Sequence, residues 1–252
     1  MADRGQLEAQ LWVTYRALAG EPLPDDAATL VSAHPEIAAA AEPELGVRAR
    51  TVETDREGRP TALFATVERP FERWHLAALI NWREGPALCA LPLERCGLAL
   101  GDEWLVYDFW GRASLGIASH AVGRRLPARS CLLVSLRANL KRPQVVGSAR
   151  HLTVGGLELL DVAWDEPSAT LAGECAPGNE PLDLMIRSPH PYVPTRAAGG
   201  EIGQLAEARV ALTLPPGSGP RRWSIGFAQA PPPGRQLIHF VDVPSPPGRG
   251  IG

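Results

Sequence analysis

Lysine is nearly absent from this chain. Of 25 basic residues only Lys141 is a lysine, and the arginines run alongside abundant alanine, glycine and proline, which marks a coding bias rather than a phosphate-binding surface. Against 28 acidic residues the net charge is −3, too small to draw the chain to nucleic acid or to an anionic membrane. Neither is expected as a partner, and pairs such as Arg124-Arg125 and Arg221-Arg222 read as solvated faces. Long apolar runs are missing as well. Nothing reaches the ~20 residues a bilayer-spanning helix needs, and the opening Met1-Ala2-Asp3-Arg4-Gly5 has no signal-peptide core, so a cytoplasmic protein is predicted.

Metal and nucleotide signals are lacking too. The four cysteines, Cys89, Cys96, Cys131 and Cys175, include no CxxC pair and have no histidine pair at zinc spacing nearby. They read as buried free thiols, since cysteine behaves as a small hydrophobe. The histidines are scattered, and only His151, beside Arg150, stands out; the plain reading is a hydrogen bond across a connector. No GxSxG elbow, phosphate loop or dinucleotide fingerprint occurs, and Gly155-Gly156 reads as a turn. No metal and no cofactor are expected.

What is present is enough apolar residue for buried cores, 45% of 252, in one large or two modest domains. Leu7, Leu11, Thr14, Tyr15 and Leu18 fall near one helical face, and Gly20 sits where a helix stops, which predicts a helix from about Gln6 to Ala19. Asp25 or Asp26 can cap a short helix through Leu30, and Pro35 can open another. From Thr61 onward the pattern changes to short apolar or alternating segments between glycine and proline: 62–67, 74–82, 104–109, 131–137, 157–164, 182–187, 210–214 and 223–228. That spacing predicts antiparallel β structure of sandwich type.

The expected fold is therefore mainly β, with antiparallel β-sandwich units preceded by a short α-helical segment. Four parts are predicted: residues 1–60 as helical segment and linker, 61–140 as a β-sandwich, 141–243 as a second small β domain, and 244–252 as a flexible Pro/Gly tail. Leu237 to Val243 alternates enough for one more edge strand.

Several landmarks then occur in a familiar order: Leu79-Ile80-Asn81-Trp82, Tyr107-Asp108-Phe109-Trp110, Leu126 to Arg137, Pro143 to His151 and Asp161 to Asp165. In this order they resemble the β-rich C-terminal region of the melibiase-like α-galactosidases, a clan that includes the raffinose-synthase-like glycosidases. The similarity covers most of residues 60–229. Gln10-Leu11-Trp12, Leu18-Ala19-Gly20, Asp25-Asp26 and Leu30 are similar to the last barrel segment of these enzymes, although Glu21 and Pro22 stand where the family has a second glycine and a more regular apolar stretch. The resemblance implies that Pro143 to His151 is a connector into the second β unit.

It also implies that the two catalytic carboxylates, which lie about 5–5.5 Å apart in retaining glycosidases, belong to barrel strands upstream. No catalytic residue is carried over. Neighbouring acids such as Asp102-Glu103 or Asp165-Glu166 make no pair, because adjacent strand residues point to opposite faces. Asp108, among aromatics, reads first as a carboxylate that fixes a turn. Most of the seven tryptophans read as core; Trp110 and Trp164 are the candidate sugar platforms. The expectation is a non-catalytic C-terminal β-sandwich portion of an α-galactosidase-like glycoside hydrolase, with a separate catalytic barrel chain as partner. The alternative is a stand-alone carbohydrate-binding module that uses exposed tryptophans. An apolar stripe exposed along Leu7, Leu11, Tyr15 and Leu18 is the mark of the first.

Overall fold

The structure, a computed structural model, describes residues 3–41, 46–205 and 208–230. The strand foreseen at 237–243 and the tail at 244–252 lie outside the described residues. Among the described residues no helix is long and apolar enough to cross a membrane.

Helix α1 (Arg4–Ala19) starts earlier than its apolar period suggests because Asp3 builds a capping box. The Asp3 carboxylate accepts from the Gln6 backbone N–H at 2.8 Å, and the Gln6 side chain reaches back to the Asp3 N–H, satisfying two donors that a helix start leaves open. Gly20 ends it in the left-handed conformation (φ 73°), its N–H on the Arg16 carbonyl. Helix α2 (Asp25–Ser32) has Pro24, not an aspartate, at its cap position, so Asp25 and Asp26 act in its first turn, where negative charge suits the helix dipole. Helix α3 (Pro35–Ala38) opens on proline and runs into a tight turn at Ala39–Ala41.

Sixteen strands follow among the described residues, and the fold is mainly β. The first sheet is antiparallel with strands β1 (Arg50–Thr54), β2 (Pro60–Arg69), β3 (Glu72–Asn81), β5 (Trp104–Asp108), β6 (Ala113–Ala118) and β8 (Ser130–Ala138), in the order β1-β2-β3-β8-β5-β6. β1 lies within residues 1–60, in the part read as linker after the helices. A two-stranded ribbon, β4 (Ala87–Pro92) with β7 (Ala121–Leu126), lies apart from it.

Alternation along the central strands sorts their side chains into two cores. Trp74, Leu76, Ala78 and Ile80 of β3 and Leu133 of β8 join Leu11, Tyr15 and Leu18 of α1 on one face. Ala77 and Leu79, with Leu132 and Val134, join Leu91, Val122 and Leu126 of the ribbon on the other. The apolar stripe of α1 is therefore covered: Leu11 is 1% exposed and Leu18 3%. The exposed stripe that would mark an unpaired barrel helix is not there, because α1 packs on β8 of its own chain.

Two four-stranded sheets complete the molecule. One orders β14 (Glu201–Leu205), β15 (Arg209–Leu214), β12 (Leu182–Arg187) and β9 (Gln144–Ser148); the other orders β10 (Leu159–Asp165), β11 (Thr170–Cys175), β16 (Arg221–Gln229) and β13 (Tyr192–Ala198). Their shared core holds Val145, Leu171, Leu184, Leu212, Trp223 and Ile225. Residues 144–148, read as a connector, are a strand. Val145 enters this core while its neighbour Val146 joins the α1 side of the first sheet, so β9 is the seam between the two groups of sheets.

Candidate functional site

The seam opens into a cleft of about 1130 Å³. Its walls come from six places: Gln6 and Gln10 of α1, Glu36 and Ile37 of α3, Phe109, Trp110 and Arg112 after β5, Arg150 and His151 after β9, and the two loops 177–180 and 217–218.

Asp108 shapes the wall that carries Trp110. It is buried at the end of β5; its Oδ1 accepts from the Gly111 N–H at 3.1 Å and its Oδ2 meets Arg124 Nη1 at 2.7 Å. A buried carboxylate held by a backbone donor and a guanidinium is a satisfied turn-former, as read from the sequence. Gly111 is required by this turn, since a Cβ there would come within 2.9 Å of the Asp108 Cγ. Arg124 is exposed, as is Arg125, and is in addition the ion-pair partner of the Asp108 carboxylate. The turn delivers the Trp110 indole to the cleft with its Nε1 donating to Thr14 Oγ1 of α1 at 3.0 Å and its ring edge-to-face with Phe109, 4.8 Å between centroids. The half-buried ring has both ends tied.

His151 forms the floor. Its Nδ1 lies 2.8 Å from Oε1 of Glu158, a carboxylate only 3% exposed. A buried acid on one ring nitrogen fixes the orientation of a histidine and leaves the other nitrogen for a ligand. The turns that allow this contain Val154 and Gly155 at positive φ (53° and 105°) and a Leu152 N–H bond to the Ala40 carbonyl. The hydrogen bond of His151 was foreseen; Glu158 was not, because nothing in the local pattern sets it apart from an exposed strand acid.

Trp164 lies elsewhere. It packs edge-on to Tyr192 at 5.4 Å and against Phe227 at 5.9 Å, with the Arg142 guanidinium 5.9 Å over its ring and its Nε1 on Glu166. The two candidate platforms are not brought together, and only Trp110 reaches the cleft. Arg221, read as solvated, is 8% exposed and donates to the carbonyls of Ala176, Glu180 and Pro215.

The neighbouring acid pairs have local duties. Glu103 binds Lys141 and Asn139, which hold its carboxyl below the usual range, and Asp165 accepts from the Ser168 N–H. Among the described residues no group of three or more His, Cys, Asp or Glu could hold a metal ion. Burial pushes the thiol of Cys131 up to about 12 and those of Cys96 and Cys175 up to about 11, so all three stay protonated.

No protein-family model matches this chain, and no curated protein matches it. Solved structures of glycoside hydrolases align with parts of the chain at low identity and low TM-score. A GH27 β-L-arabinopyranosidase from Geobacillus stearothermophilus is 18% identical over 55% of this chain and 31% of its own, with a TM-score of 0.36. Alpha-galactosidase I from Mortierella vinacea is 14% identical over 52% and 35%, TM-score 0.39. Isomalto-dextranase of Arthrobacter globiformis T6, solved with panose, is 12% identical over 91% and 46%, TM-score 0.35. This chain spans less than half the length of each.

Proposed function

We propose that this chain is a non-catalytic β-sandwich portion of an α-galactosidase-like glycoside hydrolase that holds carbohydrate in the seam cleft and leaves bond cleavage to a separate catalytic barrel. The observation that supports it is Trp110. An indole fixed by Thr14 and Phe109 lines the wall of an open cleft, and an indole ring is the kind of group that packs on the C–H side of a pyranose. Gln6 and Gln10 line the same cleft with amide donors and acceptors for sugar hydroxyls. Ordered aromatic and polar groups converging on a concave site are the usual make-up of small-molecule sites.

Calorimetric titration of the chain with methyl α-galactoside, beside an aryl α-galactoside hydrolysis assay, tests this reading. Binding without hydrolysis is expected, and Trp110→Ala should weaken binding about tenfold, some 1.4 kcal/mol. Hydrolysis by the chain alone would sink the non-catalytic reading.

The closure of α1 on β8 favours a second reading, a stand-alone carbohydrate-binding module, since that helix offers no unpaired stripe to a barrel. Mixing the chain with a barrel-bearing α-galactosidase separates the two. A gain in hydrolysis supports the accessory portion, and unchanged hydrolysis with sugar binding intact supports the module.

A further inference from the structure

One wall of the cleft carries a guanidinium, that of Arg150, with no carboxylate paired to it among the described residues. Gly178 and Gly217 exchange two backbone hydrogen bonds, each 2.9 Å, and join the loop after β11 to the loop before β16. Against this bridge lies the half-buried guanidinium of Arg150: a methyl group at position 178 would come within 2.8 Å of its Nη1. Gly178 has no positive φ to explain it, so its lack of a side chain makes room for the arginine. Arg150 has no side-chain hydrogen bond or ion pair among the described residues.

Behind the same glycine lies Arg221, whose Nη2 would be 3.3 Å from that methyl. It is buried, and its partners at Ala176, Glu180 and Pro215 are carbonyl oxygens, which solvate a cation without cancelling it. Glu174, one of the near acids, is paired with Arg222 at 3.1 Å. Burying a guanidinium without a paired counter-ion is costly; the buried carboxylate of Glu158, which acts on Cys175 alongside Arg221, is held on His151 at 2.8 Å and is not paired with either arginine. The cleft also holds two carboxylates, Glu36 and Glu180. Glu36 lies 3.5 Å from His34 on the α3 side and is largely solvated.

We propose that the cleft takes an acidic sugar, a pyranose bearing a carboxylate, with the carboxylate on Arg150 beside Gly178 and the ring against Trp110. This rests on the reading of the cleft as a carbohydrate site. A guanidinium offers a carboxylate two parallel N–H donors, and the ligand supplies the paired anion that Arg150 lacks among the described residues.

The test is titration calorimetry of the whole chain with methyl α-galacturonide and methyl α-galactoside at one ionic strength, repeated with Arg150→Gln and Gly178→Ala. Galacturonide should bind about tenfold tighter than galactoside, as expected of a charge-assisted bidentate contact. Arg150→Gln should erase that preference, so that the variant binds the two sugars equally; Gly178→Ala, which displaces the guanidinium, should do the same. Equal affinities in the unaltered chain would overturn the acidic-sugar inference and leave the cleft reading standing. A preference that survives Arg150→Gln would overturn the assignment to this wall. Binding of neither sugar would overturn both readings.

Discussion

His75 shows how burial converts one side chain into a pH dependence. It stacks on Phe64 at 5.1 Å, meets the edge of Trp104 at 5.2 Å and shares a 3.0 Å hydrogen bond between Nδ1 and Thr66 Oγ1. Burial, and then the nearby Arg73 charge, holds its pKa below the usual 6.5. The folded chain thus binds fewer protons here than the unfolded chain does. The contribution of His75 to stability is full above about pH 6.5 and is lost as pH falls through its lowered value. Urea denaturation at pH 7.5 and pH 5 should show a weaker fold at the lower pH, and His75→Gln should flatten that difference. Trp110 is the residue-scale test of the cleft, for its ring is the proposed ligand contact; its loss also removes the hydrogen bond to Thr14 and the packing on Phe109, so the variant's urea midpoint is read beside its affinity.

Elements differ in how much of their stability is local. Helix α1 carries its own cap and stop signals, yet isolated helices of this length are marginal in water, and it persists because its apolar face closes the core over β8. Leu11→Ala should therefore cost about 2–5 kcal/mol, the range for a leucine removed from a packed core, with the loss read from the urea midpoint. A helix left to meet a partner barrel would lose little from the same change. The strands β2, β3, β5 and β8 are covered on both faces and read as nearly continuous apolar runs. Ribbon and edge strands do not: β7 is Ala-Val-Gly-Arg-Arg-Leu with only Val122 and Leu126 buried, and β6 carries Gly116 at a φ of 94°.

At the scale of the whole molecule the sheets are stitched by Arg137. Its guanidinium is fully buried, 3.9 Å over the Trp74 ring, paired with Glu72, and donating at 3.1 Å to the carbonyls of Val146 and Val154 across the seam. Desolvation pulls its pKa down, opposed by the Glu72 charge. Trp74 Nε1 donates to the Thr153 carbonyl at 3.0 Å over the same boundary. Arg137→Ala would leave Glu72 and the Val154 carbonyl without the Arg137 donor, the Val146 carbonyl keeping Ser135 Oγ at 3.3 Å, and should cost about 3–5 kcal/mol, the range for breaking a buried ion pair by removing one partner. Because the first sheet and β9 share one core, fluorescence and far-ultraviolet dichroism should trace a single unfolding transition in the unaltered chain.

By itself the sequence determined the helical start, the mainly β body and the strands whose two faces are both buried, since period and punctuation are local properties set by side-chain direction along each element. It also identified Asp108 as a turn-former and His151 as a hydrogen-bonding histidine. The half-exposed strands stayed hidden, because their glycines and arginines carry no period of two. So did the covering of α1 and the burial of Arg221, for both depend on what the chain brings against them from far along its length. Only the tertiary structure decided the cleft: Gln6, Trp110, Arg150, Glu158 and Gly178 are spread over most of the chain, and no local pattern can report that β9 draws them to one seam.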